Sequence, residues 1–119
     1  MSRGQLRFTE ETRDGITVFH LSGKMIGDSE TKKMSDRIKE LIKEDTIHFV
    51  INLGQVNWIN SNGIGALISC MTTARNNGGD LRLANVQSAA KKYFQITRLN
   101  IVIKIYDHVT DAIKSYQEK

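Results

Sequence analysis

A chain of 119 residues has room for one apolar core and little more, so a single domain over 1–119 is expected. Its 39% hydrophobic and 25% charged residues are the composition of a folded globular chain and exclude a disordered one. The net charge of +4 is scattered along the sequence rather than gathered into a basic stripe, which argues against a nucleic-acid partner.

Leu6-Arg7-Phe8-Thr9-Glu10 alternates apolar and polar residues and predicts a strand. Arg13-Asp14-Gly15 predicts a turn, because Asp-Gly accepts positive φ at little cost, and Ile16 to Leu21 predicts the second strand of a hairpin. Gly23 and Gly27 bracket Lys24-Met25-Ile26, which reads as a short loop with two apolar side chains. Asp28 or Ser29 then caps a helix whose apolar stripe is Met34, Ile38, Leu41 and Ile42 and which ends near Lys43. His48-Phe49-Val50-Ile51-Asn52-Leu53 is a nearly continuous apolar run, as in a buried central strand.

The next helix opens at Ser61, shows Ile64, Leu67, Ile68 and Met71 on one face, and stops at Asn76-Asn77-Gly78-Gly79. Leu81 to Ala84 predicts a strand, Ser88 to Thr97 a helix carrying Ala90, Tyr93 and Phe94, and Ile101 to Tyr106 the last strand. Asp107 is placed to cap a final helix through Val109, Ala112, Ile113 and Tyr116. A hairpin followed by strand–helix alternation predicts an α/β fold, a mixed sheet of about five strands, mostly parallel inside, with about four helices packed on it. The doublets Lys32-Lys33 and Lys91-Lys92 then fall on solvated helix faces.

Val56 to Leu67 carries the most information, running from strand into the polar turn Asn60-Ser61-Asn62 and straight into a helix. A hydroxyl at that junction lies where free helix amides point outward and the macrodipole favours negative charge. The position suits a phosphate carrier, and it suits an ordinary N-cap. Catalytic patterns are missing around it. The Gly63-Ile64-Gly65 turn lacks the lysine of a Walker loop and the third glycine of a dinucleotide fingerprint, and Ser61 has no nucleophile-elbow glycines. Asn52, Asn57, Asn60 and Asn62 supply amides where an enzyme would need a proton acceptor. His20, His48 and His108 stand far apart, and Cys70 has no Cys-x-x-Cys partner, so no metal site, no cofactor and no catalysis are expected. The single cysteine, an opening Met-Ser-Arg-Gly-Gln without a signal-peptide core, and the absence of a membrane-length apolar run point to a cytoplasmic chain with no membrane partner.

These residues resemble the STAS domain, specifically the single-domain anti-sigma-factor antagonists of bacteria. Leu21-Ser22-Gly23-Lys24-Met25-Ile26 is similar to the family's Leu-x-Gly-x-Leu/Ile segment. Asn52-Leu53-Gly54 through Val56, Ile59, Asn60-Ser61-Asn62-Gly63 and Ile64-Gly65 resembles its signature turn, commonly Asp-Leu-Ser-x-Val-x-Phe-Ile-Asp-Ser-Ser-Gly-Leu-Gly. Phe94 to Leu99, then Ile103, Ile105-Tyr106-Asp107 and Ala112, resemble its closing segment. The resemblance implies a phosphorylation switch with Ser61 as phosphoacceptor. Its partners would be an anti-sigma factor that is also a serine kinase of the GHKL type, and a phosphoserine phosphatase. The dephosphorylated form would bind the kinase and release a sigma factor, through Met25, Ile26, Asn60, Asn62, Gly63 and Ile64, with Ile64 equally suited to the core. The alternative role within the family is a scaffold or regulatory subunit of a stress-signalling complex or lipid-transport ATPase. The sequence departs from the pattern at Asn52 and Asn60, where aspartate is usual, and at Asn62 in place of the second serine.

Overall fold

The Asp14-Gly15 pair turns the chain with positive φ at both residues (52° and 79°), the geometry that lets two right-twisted strands fold back on each other. It joins β1 (Arg7–Arg13) to β2 (Ile16–Met25) in an antiparallel hairpin. A computed structural model describes residues 5–118 of the chain, so residues 1–4, on which the leader expectation rests, lie outside it. From β2 the chain continues through α1 (Ser29–Lys43), β3 (His48–Ile59), α2 (Ser61–Asn76), β4 (Asp80–Ala84), α3 (Ser88–Ile96), α4 (Leu99–Val102), β5 (Ile105–Tyr106) and α5 (Val109–Gln117). The strands lie side by side in the order β1-β2-β3-β4-β5, and every pair after the hairpin is parallel. The mixed α/β sheet is thus the one expected, with five helices among the described residues rather than about four.

Strand alternation sorts β3 between two cores. Phe49, Ile51 and Leu53 face α1 and α2, joining Met34, Ile38, Leu67 and Met71. Val50 faces the opposite way and meets Val18, Ala84 and the Val109, Ala112 and Ile113 stripe of α5. Asp28, not Ser29, caps α1, its Oδ1 accepting the Thr31 N–H at 3.1 Å. α5 is tied down by Tyr116, whose hydroxyl donates to the Phe49 carbonyl at 2.7 Å while the Arg82 guanidinium sits 3.9 Å over its ring.

Three expectations are corrected. Lys24-Met25-Ile26 is not a loop up to its end, because β2 runs on to Met25 through two register shifts, with Gly23 at φ 94°. The bulges keep β2 paired with the long β3 as far as Met25↔Ile59. The run Ile101 to Tyr106 is not one strand. Arg98, at φ 61°, ends α3, the chain makes the single turn of α4, and only Ile105 and Tyr106 pair with β4. Finally, His108 rather than Asp107 occupies the cap of α5, and the Asp107 carboxylate reaches Lys91 at 3.4 Å instead.

Candidate functional site

The extension of β2 and β3 delivers the Asn60-Ser61-Asn62-Gly63 turn to one end of the sheet and bolts it there. The Asn60 N–H donates to the Met25 carbonyl at 3.2 Å, and its Nδ2 donates to the Ile26 carbonyl at 3.3 Å. Its Oδ1 accepts the Gly63 N–H at 3.0 Å, so Asn60 is the N-cap of α2. Ser61 is therefore the first helical residue, exposed, and its hydroxyl has no hydrogen-bond partner among the described residues. The capping role that competed for Ser61 belongs to its neighbour.

Glycine at 63 is a packing requirement. A Cβ there would stand 2.3 Å from the Met25 carbonyl oxygen and 2.8 Å from Met25 Cγ. On the other side Gly27, at φ 83°, approaches so closely that a Cβ would meet Asn62 Cβ at 2.5 Å. The turn is clamped between the end of β2 and the loop into α1, which fixes the direction in which residue 61 points.

The residues expected to contact a partner are all brought together, but in two layers. Ile26, Ser61 and Asn62 are exposed, and Asn60 is half-buried. Met25 is fully buried and Ile64 is 7% exposed, with Gly63 buried between them. The expectation of Met25 as an exposed contact is corrected, because the strand extension carries it into the core, and of the two places open to Ile64 the helix face gives it the buried one. Those three residues support the site from behind.

Sequence reasoning missed the other wall. β3, α2 and α3 enclose a cavity of about 390 Å³ that opens beside Ser61. Trp58 and Tyr93, 60% and 44% exposed, stand at this cavity with Val56, Ala89 and Ala90. A tryptophan three residues before Ser61 was the visible signal; its meeting with α3, some 35 positions away, was not.

Asn52 lies elsewhere, in a row of side chains across the strands. His20 Nε2 lies 2.7 Å from Glu11 Oε1, Asn52 Nδ2 lies 2.9 Å from His20 Nδ1, and Asn52 Oδ1 accepts from the Gly54 N–H and Asn85 Nδ2, both at 3.0 Å. Hydrogen bonds from His20 and Arg13 hold the Glu11 carboxyl below its ordinary value. Cys70 is buried, which pushes its thiol up and away from nucleophilic use, and its Sγ donates to Ser35 Oγ at 3.4 Å. Among the described residues no cluster of three His, Cys, Asp or Glu is placed to hold a metal ion, and no helix is long and apolar enough to cross a membrane.

A family model described as STAS domain matches residues 7–112. Among solved structures, an anti-sigma factor antagonist from Mycobacterium paratuberculosis is similar at 19% identity, covering 98% of both chains with a TM-score of 0.83. The anti-sigma factor antagonist SpoIIAA in its unphosphorylated form is similar at 18% identity over 95% of this chain and 100% of that one, TM-score 0.76. The Bacillus cell fate determinant SpoIIAA in the phosphorylated form is similar at 19% identity over 92% and 99%, TM-score 0.74. At such identities the structural likeness speaks for the fold.

Proposed function

This chain belongs to the STAS domain family, matched over residues 7–112, and from that premise we propose that it is an anti-sigma-factor antagonist switched at Ser61. In this reading the unmodified protein docks on an anti-sigma factor through the exposed layer of Ile26, Asn60, Ser61 and Asn62, with Met25, Gly63 and Ile64 fixing it from behind. Docking frees a sigma factor. The anti-sigma factor is also a GHKL-type serine kinase, which phosphorylates Ser61, and a phosphoserine phosphatase restores the binding form. The chain performs no catalysis of its own and works in the cytoplasm.

The observation that carries this reading is the exposed hydroxyl of Ser61, unpartnered among the described residues, on a helix whose cap is already supplied by Asn60. Phosphate brings about −1.5 to −2 charges. At the N-terminus of α2, beside the amides of Ser61 and Asn62, that charge is tolerated in the free protein. Trapped in a docked interface without a cationic partner, it costs roughly 2–5 kcal/mol, about 30- to several-thousand-fold in affinity. The usual aspartate before the phosphoacceptor would add a negative charge next to the incoming phosphate, and Asn60 does not. Asn62 leaves one hydroxyl in the turn.

The test is incubation with the candidate kinase and ATP, followed by peptide mass mapping and affinity measurement. One phosphate on Ser61 is expected, with Ser61→Ala binding as the parent does and Ser61→Asp binding at least 30-fold more weakly. Phosphate elsewhere, or equal binding by Ser61→Asp, refutes the switch.

A further inference from the structure

The cavity beside Ser61 has features that the docking reading does not use. Its volume of about 390 Å³ lies within the range of small-molecule sites. It exists because α3 presents Ala89 and Ala90 to it, side chains too short to reach Val56, Ile59 and Ile64 on the far wall. None of its eleven lining residues carries a charge, so no side chain would pair with an ionised ligand, and the N-terminus of α2 offers an anion only a partial positive charge. Trp58 and Tyr93 both line the cavity and are exposed, which favours a flat aromatic occupant. Five polar side-chain groups among the lining residues have no partner among the described residues: the Asn57 amide, the Trp58 indole N–H, the Ser61 and Tyr93 hydroxyls, and Oε1 of Gln87, whose Nε2 is spent on the Gly54 carbonyl. They ask for an occupant with both donor and acceptor atoms.

We propose that this cavity is a binding site for a small, neutral, planar heteroaromatic molecule, held against Trp58 and Tyr93 and hydrogen-bonded by Asn57, Ser61 and Gln87. Occupancy covers Ser61, and the site stands whether or not Ser61 is ever phosphorylated.

The chain has one tryptophan, and it lines the cavity, so its fluorescence reports occupancy directly. Theophylline is the probe, neutral at pH 7 and bicyclic with an N–H donor and several acceptors, and an affinity of about 1 mM is expected for a molecule with so few atoms. Saturable quenching is expected, with amide NMR shifts confined to the neighbourhood of Trp58, Ser61 and Gln87 to Tyr93. Ala89→Phe, at an exposed position on the first turn of α3, fills the cavity without entering the core and should weaken binding at least 10-fold. Trp58→Ala, followed by NMR alone, should weaken it about 5-fold. Benzoate, aromatic but charged, should bind more weakly than theophylline, and cyclohexanol, neutral but not aromatic, at least 10-fold more weakly. Unsaturable theophylline shifts, shifts centred elsewhere, benzoate binding as tightly, or an unaffected Ala89→Phe would each overturn the proposal. Shifts that arise in this cavity only on adding a protein partner would likewise overturn it and make the cavity a docking pocket.

Discussion

Alanine placed at Gly63 and at Gly65, two positions apart on one helix, should move stability in opposite directions. At Gly65 an added Cβ meets nothing within 4 Å, so the change removes only the conformational cost of a helical glycine and should stabilise by roughly 0.5–1 kcal/mol. At Gly63 the same atom lands 2.3 Å from the Met25 carbonyl oxygen and 2.8 Å from Met25 Cγ. Ordinary contact distances are about 3.5 Å, so the first turn of α2 must retreat by about 1 Å. Overpacking of that kind costs about 2 kcal/mol, and stretching the Asn60 N–H bond to Met25 beyond use costs about 1 more. The helical preference for alanine returns about 1, leaving a net loss of about 2 kcal/mol. For a domain of this size that is a fall of roughly 8 °C in Tm, against a rise of about 3 °C for Gly65→Ala. Urea titration with an unchanged slope would confirm that folded-state stability is being read. If both variants shift Tm in the same direction, α2 is not seated on Met25 and the account of how Ser61 is aimed fails.

Removing the cap by Asn60→Ala should cost about 1 kcal/mol and lower Tm by roughly 4 °C, while Asn60→Asp, which keeps the capping oxygen, should cost less than half as much in the same melt. Burial would raise the Asp80 carboxyl, but hydrogen bonds from Arg75, Arg82 and the Leu81 amide outweigh it and hold it below its ordinary value. A lowered folded value means that this stabilisation is complete above the unfolded value and drains away as pH falls through the folded one. Asp80→Asn, which takes the carboxylate away from Arg82 at 13% exposure, should therefore cost about 3 kcal/mol at pH 7 and much less in acid; equal losses in denaturant melts at both pH values would contradict this.

What the sequence displayed was local order. The Asp14-Gly15 turn, the stripes of α1 and α2 and the apolar run of β3 repeat with the period of their own backbone, and the structure has them where that period puts them. What it hid was pairing between distant segments. Gly54 and Gln55 look like the end of a strand after Leu53, yet β3 continues to Ile59 because the bulged β2 stays alongside it. That same pairing buries Met25, which adjacent glycines make look like a loop residue. Ile101 to Tyr106 is too short for its period to separate strand from helix, and Arg98 in the left-handed region settles it. The cap moved by one residue because Asn and Ser are nearly equal cap formers; the carbonyls of Met25 and Ile26, which only Asn60 reaches, decide between them.

The separation of cap from phosphoacceptor leads to a sign that distinguishes a switch from a structural serine. Were Ser61 the cap, any acidic or phosphorylated side chain there would rebuild the helix start, and Ser61→Ala would cost about 1 kcal/mol. With Asn60 holding the Gly63 amide, Ser61 is free of structural duty, so Ser61→Ala should leave Tm within about 1 °C. A negative charge at the first helical position meets the positive end of α2 and should add about 0.3–1 kcal/mol to folding. Ser61→Asp should therefore melt at the same temperature as the parent or up to about 4 °C higher, while binding its partner more weakly. Stability and affinity moving in opposite directions is the outcome a surface switch requires. A drop of several degrees in Ser61→Asp would mean that the charge disrupts the fold itself, and any loss of binding would then be a consequence of unfolding.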